Sequence, residues 1–241
     1  MTTPTFITTS PDIVELSASE SLGTDQTYCL VMSDIDRYKT YRELGTQLNS
    51  DILEAYSDRE LIVETASELD IGFDGPNLAY EFESQMPAHF EFALYEYRRD
   101  GTTAAERYLE AERWENKTER DILESTVGTD PSLFEVESVS ESGPRLTVTD
   151  LLNDREERTL LDVNLSRTAE PGLVLFFRPV RYDGVTTTSG VSFPFPVDEK
   201  EQLLNEHDRQ VEPDEPRAVS RQRFVTFHDL YRDRGIRIQY R

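Results

Sequence analysis

Residues 128–152, GTDPSLFEVESVSESGPRLTVTDLL, contain the point at which the chain changes its structural pattern. The first four residues, Gly128 to Pro131, favour a turn, and beyond them apolar residues alternate with polar ones, as at Phe134 and Val136. This alternation is typical of a strand with one buried face. The turn at Ser142-Gly143-Pro144 separates it from a second alternating run, so the segment predicts an antiparallel hairpin.

The same pattern continues as far as residue 197. Turn signals at Asn153-Asp154, Pro171-Gly172 and Asp183-Gly184 divide residues 131–197 into five or six short apolar or alternating runs. Many short strands with regular turn signals are typical of a small all-β unit. We therefore expect residues 131–197 to form a small antiparallel β-barrel.

The preceding residues, 46–130, have helical patterns. Capping boxes are predicted at Ser57–Glu60 and Thr103–Glu106. Apolar residues recur at steps of three and four from about residue 80 to residue 98, although Pro87 disfavours the early part of that helix. This region is therefore predicted to be helical.

The two ends of the chain complete the predicted organisation. Residues 1–45 are expected to form short strands and a loop, with the apolar run Tyr28–Met32 as a buried strand. Residues 198–241 are expected to form a short helix and an Arg-rich tail. The predicted fold class is α+β: a mixed or helical N-terminal region, a small antiparallel β-barrel and a basic C-terminal segment.

The charge of the chain points to a habitat. Asp and Glu number 48 against 25 Lys and Arg, which gives a net charge of −23, and Lys occurs only at residues 39, 117 and 200. A large acidic excess with almost no Lys resembles the cytosolic proteins of salt-accumulating haloarchaea. Carboxylates stay hydrated in concentrated salt, and their repulsion is screened because the Debye length is only about 3 Å at 1 M. We therefore expect a haloadapted protein; an acidic surface that attracts basic partners is the alternative.

Several classes are disfavoured by composition. The sequence has no apolar run of membrane-spanning length, which predicts no membrane partner, and it does not open with a basic and then apolar leader, so a cytoplasmic location is expected. Cys29 is the only cysteine, which excludes an intramolecular disulfide framework and a cysteine-cluster metal site. We predict no cofactor.

The C-terminal segment from Pro216 to Arg241 has the opposite charge, with seven Arg against two Asp. It is interpreted as docking on the acidic body of the protein itself, as a contact with a partner protein, or as a contact with nucleic-acid phosphates, which high salt would weaken. The candidate contact residues, two in the β module and five in the tail, are Arg178, Arg181, Arg217, Arg221, Arg223, Arg234 and Arg237.

The aromatic residues of the β module have two possible roles. Barrels bind single-stranded nucleic acid by stacking bases on exposed rings beside cations, whereas a small domain also needs rings in its core. Because neighbouring strand residues point to opposite faces, Phe176 and Phe177 are predicted to lie on different sides of the sheet. The rings concerned are Phe134, Phe176, Phe177, Tyr182, Phe193 and Phe195.

A short acidic motif suggests an enzyme as a further alternative. Residues 33–39, SDIDRYK, resemble the D-I-D-x-F/Y-K start of nucleotide cyclases of the diguanylate type. Asp34 and Asp36 at the end of a strand could share Mg²⁺ with substrate phosphates, since Mg²⁺ prefers oxygen ligands. The second acidic hairpin of that family is missing. The simpler interpretation is that Asp34 caps a helix or turn and that Asp36 is solvated.

The stretch from Glu91 to Pro196 resembles a family found in some SEC-C-motif proteins of bacteria and archaea. The resemblance implies a helical segment followed by a compact β module, and it implies no reaction. The zinc-binding SEC-C element itself is absent, because a single cysteine cannot supply its ligands. The matching residues are Asp100-Gly101-Thr102, Glu106, Tyr108-Leu109, Phe134-Glu135-Val136, Leu146, Thr149-Asp150-Leu151-Leu152, Pro171-Gly172, Val174-Leu175-Phe176, Arg178, Val180, Asp183-Gly184 and Ser189-Gly190.

These observations favour a non-enzymatic interaction module whose partner is a protein of unknown identity. Binding of RNA or single-stranded DNA through the β module and the Arg-rich tail is one alternative. A Mg²⁺-dependent nucleotide enzyme that uses Asp34 and Asp36 is the other.

Overall fold

The structure is a computed structural model that describes residues 33–212 and 216–236. The helices in this part of the chain are α1 (Asp34–Tyr56), α2 (Arg59–Glu68), α3 (Gln85–Tyr95), α4 (Ala104–Glu110), α5 (Lys117–Val127), α6 (Leu165–Thr168), α7 (Lys200–Gln210) and α8 (Pro216–Arg234). The strands are β1 (Gly72–Asp74), β2 (Asn77–Ala79), β3 (Ser132–Val139), β4 (Arg145–Asp150), β5 (Glu157–Leu161), β6 (Val174–Tyr182) and β7 (Val185–Phe195). The strand predicted at Tyr28–Met32 lies outside the described residues.

Helix α1 differs from the strands and loop expected before residue 45. The hydroxyl oxygen of Ser33 caps the helix by accepting from the backbone N–H of Asp36. The buried face carries Tyr38 and Tyr41 in its first half and only then Leu48 and Ile52. A buried stripe that starts with two tyrosines between charged residues gives a weak helical signal, which explains why the sequence pattern did not reveal it.

Local capping sets the other helix starts. Thr103 and Glu106 form the predicted capping box at the start of α4. At α2 the prediction was wrong by one residue, because Asp58 and not Ser57 is the N-cap, accepting from the N–H of Leu61 at 2.7 Å. Pro87 lies in the first turn of α3, where a backbone N–H has no helical partner to lose.

The β module is a five-stranded antiparallel sheet in the order β5-β4-β3-β6-β7. Five short antiparallel strands agree with the expectation, but a closed barrel is not confirmed. Within the described residues, the ladders join only these neighbours, and no ladder joins β5 to β7. The register shifts after Val136 and after Phe177, as at β-bulges, which bend a strand and strengthen its twist.

The two faces of the sheet have separate cores. Phe176 packs on the face that meets the helices, with its ring centroid 4.5 Å from that of Phe227 on α8. Phe177 packs on the other face, 4.3 Å from the ring of Phe134. This confirms that the two neighbouring phenylalanines point to opposite sides.

The basic C-terminal segment is a helix and not an extended tail as far as the structure describes it. Phe224, Phe227, Leu230 and Tyr231 of α8 belong to the same core cluster as residues of α2, α3, α7 and the sheet. The apolar spacing of three, three and one residues places these side chains on one helical face. The described residues belong to one compact unit. The division at residues 45, 130 and 197 stays a prediction.

No helix in the described ranges is both long enough and apolar enough to cross a bilayer.

Candidate functional site

The arginines of α8 bind carboxylates of the protein's own body. Arg221 holds Glu68 of α2 with two N–H groups, each 2.5 Å from a carboxylate oxygen. Arg234 lies 3.2 Å from Glu199. The neighbouring Arg232 pairs with Asp70 and Glu81 at 2.9 Å. These contacts agree with the interpretation in which the basic segment docks on the acidic body.

Arg223 of α8 has no carboxylate partner among the described residues. Its Nε donates to a ring nitrogen of His207 at 3.3 Å, and its terminal nitrogens donate to the side-chain oxygen of Asn153. Burial lowers the pKa of Arg223. Arg217 lies in the first turn of α8, and Arg237 lies outside the described residues.

Arg178 is placed where a partner cannot reach it. Its side chain is 2 % exposed, and it forms ion pairs with Glu96, and with Glu91 at 3.8 Å. It also donates to the carbonyl of Thr126 at 3.2 Å. Arg181 is exposed on the same strand and keeps its side chain at the surface. Of the seven candidate contact residues, Arg178 is therefore structural.

The aromatic rings of the β module do not form a stacking surface. Phe134, Phe176, Phe177, Phe193 and Phe195 are at most 2 % exposed. Tyr182 is partly buried against a second cluster made mainly by helices α1, α4 and α5. Base stacking needs an exposed ring face, so these rings serve the core.

The acidic motif at the start of α1 is part of a helix terminus. Asp36 accepts a hydrogen bond from the Ser33 hydroxyl at 2.6 Å, which lowers the pKa of Asp36. Asp34 forms ion pairs with Arg37 and with Arg145 of β4. In the ranges that the structure covers, no group of three or more His, Cys, Asp or Glu side chains is placed to hold a metal ion.

A cleft between α1, α3 and β7 brings together charged, polar and apolar residues, of which only Ser189 and Gly190 are among those that carry the family resemblance. Its volume is about 320 Å³, which is in the range of small-molecule sites. Helix α1 contributes mainly polar residues, α3 contributes apolar residues and Glu91, and β7 contributes residues 189–191, where its register with β6 shifts. The lining residues are Tyr41, Arg42, Gly45, Thr46, Asn49, Ser50, Leu53, Met86, Pro87, Phe90, Glu91, Leu94, Ser189, Gly190 and Val191.

Glu91 is a buried carboxylate in the wall of this cleft. It is 6 % exposed, and the hydroxyl of Ser189 lies 2.7 Å from each of its oxygens. Burial raises the pKa of Glu91 to about 7, although Arg178 and the Ser189 hydrogen bond oppose the shift. A carboxylate with a strongly raised pKa in a cleft is a marker of functional sites.

Arg42 supplies the positive charge of the cleft. Its Nη1 donates to the carbonyl of Thr188 at 3.4 Å, and its guanidinium lies 5.9 Å from the ring centre of Tyr38. Gly190 has a φ of +121°, and a Cβ there would lie 3.1 Å from Nη1 of Arg42. The glycine therefore lets the guanidinium approach the strand.

Helix α1 shapes the remaining wall. The side-chain oxygen of Asn49 accepts from the hydroxyl of Tyr95 at 2.6 Å. The hydroxyls of Thr46 and Ser50 donate to carbonyls one turn earlier, so their lone pairs are what they offer to the cleft. Gly45 lies in the middle of the helix, where a Cβ would meet only the Tyr41 ring, at 3.9 Å.

The sequence patterns missed this site for a definite reason. Its two charges, Arg42 and Glu91, lie 49 positions apart and are joined only by the segment around Ser189. The one local signal was the placement of Gly45 inside a helix, which costs about 1 kcal/mol relative to Ala. That signal required the helix itself to be recognised.

A model of a family of unknown function, DUF7986, matches residues 32–241. No curated protein and no solved structure gives a significant match. The association with SEC-C-motif proteins stays a prediction.

Proposed function

Because the chain belongs to that family of unknown function, we propose its role from its own geometry: it is a binding protein without catalytic activity that holds a small molecule in the cleft between α1, α3 and β7. One observation carries this proposal. Arg42, Asn49 and Glu91 converge on one cleft whose α3 wall is otherwise apolar. A few placed polar groups among apolar walls are the usual composition of a small-molecule site.

The proposed binding site is the cleft and not the Arg-rich C-terminal segment. Arg221, Arg232 and Arg234 form ion pairs with the protein's own carboxylates. These pairs offset their positive charge and occupy their donors, which weakens their attraction for an acidic partner. A nucleic-acid role has little support, since the rings expected to stack on bases are buried. Asp34 and Asp36, the proposed Mg²⁺ ligands, are held by cations and by a helix cap.

The proposal also covers the habitat of the protein and a protein partner. We propose a haloadapted cytoplasmic protein, which the excess of 48 acidic over 25 basic residues supports. A protein partner remains compatible with this role, and the exposed Arg181 is then its best candidate contact among the described arginines.

The test is a fragment screen by two-dimensional NMR in 1 M KCl, with Gly45→Leu as the matched control. Gly45 lines the cleft and leaves room for a Cβ, so we expect leucine at this position to fill part of the cleft, while it replaces a helical glycine by a better helix former. We expect fragments that shift cleft resonances in the wild type and not in the variant. If no fragment distinguishes the two proteins, the proposal is wrong.

A further inference from the structure

We propose that the cleft binds a free α-amino acid with an apolar side chain, its carboxylate held by Arg42 and its ammonium group by Glu91. The inference rests on the proposed function and names the chemical class of its ligand. Five features of the cleft support it: an unpaired cation, a carboxylate with few donors, their common anchor on β7, an apolar wall and a polar wall.

Arg42 is the unpaired cation. The chain has 48 acidic residues against 25 basic ones, yet no carboxylate in the described ranges lies within ion-pair distance of Arg42. A guanidinium has five N–H donors, and one of them is used, on the carbonyl of Thr188. The remaining donors suit a carboxylate, which arginine binds with two parallel hydrogen bonds.

Glu91 is the under-satisfied carboxylate. An ionised carboxylate has about four acceptor sites. The single hydroxyl of Ser189 is the only donor within hydrogen-bond distance among the described residues, because Nε of Arg178 stays 3.8 Å away. A buried carboxylate with so few donors is costly. An ammonium group supplies up to three donors and a positive charge at this place.

The two charges share one anchor. Ser189 contacts Glu91, while its neighbours Thr188 and Gly190 contact or face Arg42. Together, the side chains of Arg42 and Glu91 therefore contact or face three successive residues of β7. A ligand that matches both must carry its own opposite charges close together, as the ammonium and carboxylate of an α-amino acid do.

The wall contributed by α3 is apolar and partly open. Met86 is 46 % exposed at the cleft, and Pro87 and Phe90 lie beside it. An unbranched thioether side chain adapts to apolar groups of different shape. This wall therefore suits the side chain of an apolar amino acid.

The polar wall offers acceptors from its hydroxyls and a donor from its amide. Thr46 and Ser50 use their hydroxyl protons on helix carbonyls, whereas Asn49 uses its oxygen on Tyr95 and keeps its NH2 group as a donor for the ligand carboxylate. The hydroxyl oxygens remain as acceptors for an ammonium group. An amine alone would leave Arg42 unmatched, and a carboxylate alone would leave Glu91 unmatched.

The experiment is isothermal titration calorimetry in 1 M KCl with L-leucine, L-methionine and L-phenylalanine. Two fragments of leucine are compared with it: 4-methylpentanoate, which lacks the amino group, and isoamylamine, which lacks the carboxylate. We expect at least one amino acid to bind, and leucine or its apolar analogues to bind at least tenfold more tightly than either fragment. Isoamyl alcohol is the uncharged comparison.

Variants of Glu91 and Arg42 test whether these two side chains hold the charged groups of the ligand. Glu91→Gln and Arg42→Gln are each expected to weaken amino-acid binding at least tenfold, while Arg181→Gln, on a neighbouring strand and away from the cleft, leaves it unchanged. The near-isosteric Glu91→Gln removes a buried charge, and its fold is checked by its NMR spectrum. Gly45→Leu is the second variant, and it is expected to abolish binding.

The affinity should also fall as the pH is lowered below about 7, because ammonium binding requires ionised Glu91. The groups facing this carboxylate are Arg42 and Tyr41 from α1, Arg178 from β6, Tyr95 on its own helix and Glu96 directly after it. Neither arginine changes charge in this range, since arginine stays protonated. A flat affinity from pH 6 to pH 8 contradicts the assignment of Glu91.

The outcomes separate the inference from the proposed function. If isoamyl alcohol or other uncharged fragments bind as tightly as the amino acids and Gly45→Leu blocks them, the site stands and the amino-acid inference is wrong. If the amino acids bind equally well to Gly45→Leu, they bind elsewhere and the amino-acid inference is wrong, while the fragment screen decides the proposed function. If neither the amino acids nor any screened fragment binds, both the inference and the proposed function are wrong.

Discussion

The guanidinium of Arg178 on β6 and the carboxylate of Glu96, directly after α3, form an ion pair whose side chains are 2 % and 1 % exposed. Ser220 of α8 donates to the second oxygen of the same carboxylate. Arg178 also donates to the carbonyl of Thr126 in α5. One buried pair therefore connects the sheet with three helices.

Removing one partner of this pair should destabilise the protein strongly. Arg178→Met is expected to lower the free energy of unfolding by about 3–5 kcal/mol, because it leaves the Glu96 carboxylate buried without its cation. Urea unfolding at a fixed KCl concentration measures the change.

Arg181→Met is the matched control, since Arg181 lies three residues along the same strand and is exposed. Its effect should stay within about 0.5 kcal/mol. The double variant Arg178→Met, Glu96→Leu should recover part of the loss, because the Glu96 charge is removed together with its cation, while Glu91 still loses its more distant pair with Arg178. A loss below about 1 kcal/mol for Arg178→Met contradicts the structural role of the pair.

The sequence allowed the strands of the β module to be predicted, because alternation and turn residues are local signals. The closure of the sheet into a barrel is not confirmed. Whether β5 and β7 pair depends on twist and on bulges such as those after Val136 and Phe177, which composition does not specify.

The roles of individual arginines depend on partners that are distant in the chain. Arg178 looked like a surface cation because its partner Glu96 lies 82 residues away. Arg221 and Glu68 are separated by 153 residues. Charge counting suggested docking on the acidic body as one of three options, and only the packing of Phe224 and Phe227 shows that the segment is part of the core.

Helix α8 should be required for the stability of the fold. Phe227 is fully buried and stacks on Phe176. Phe227→Ala is expected to lower the free energy of unfolding by about 3–5 kcal/mol, since it removes a ring and leaves a cavity. Urea unfolding followed by circular dichroism measures the loss.

Arg234→Gln on the same helix is the control for charge. Its pair with Glu199 is partly exposed, with side chains 35 % and 25 % accessible, so its effect should be about 1 kcal/mol or less. If Phe227→Ala has an effect as small as Arg234→Gln, the core role of α8 is wrong.

The acidic excess should make stability depend on salt. With a net charge of −23, self-repulsion opposes folding in dilute buffer, and salt screens it. We expect the melting temperature to rise steadily as KCl is increased from 0.1 M to 2 M. Sorbitol at matched water activity serves as the control, since it carries no charge. A melting temperature that is independent of KCl contradicts haloadaptation.

His89 should make the protein sensitive to acid. Thr65 donates its hydroxyl proton to the carbonyl of Leu61 at 2.7 Å, so it accepts from Nε2–H of His89, also at 2.7 Å. The other ring nitrogen, Nδ1, is then the acceptor for the hydroxyl of Tyr80 at 3.0 Å. This network holds a neutral imidazole, and burial lowers the pKa of His89 from 6.5 to about 4.

The sign of the effect follows from this lowered pKa. The unfolded chain binds the proton more tightly than the folded protein, so the contribution of His89 is complete above pH 6.5 and is lost as the pH falls towards 4. The full loss is about 3 kcal/mol, at about 1.4 kcal/mol per pKa unit. Glu91 acts in the opposite direction between pH 4.5 and 7, because its pKa is raised.

The difference in unfolding free energy between the wild type and His89→Gln isolates the contribution of the histidine. This difference should increase from pH 4 to pH 6.5 and then level off, whereas a difference that is constant across this range contradicts a neutral, buried His89.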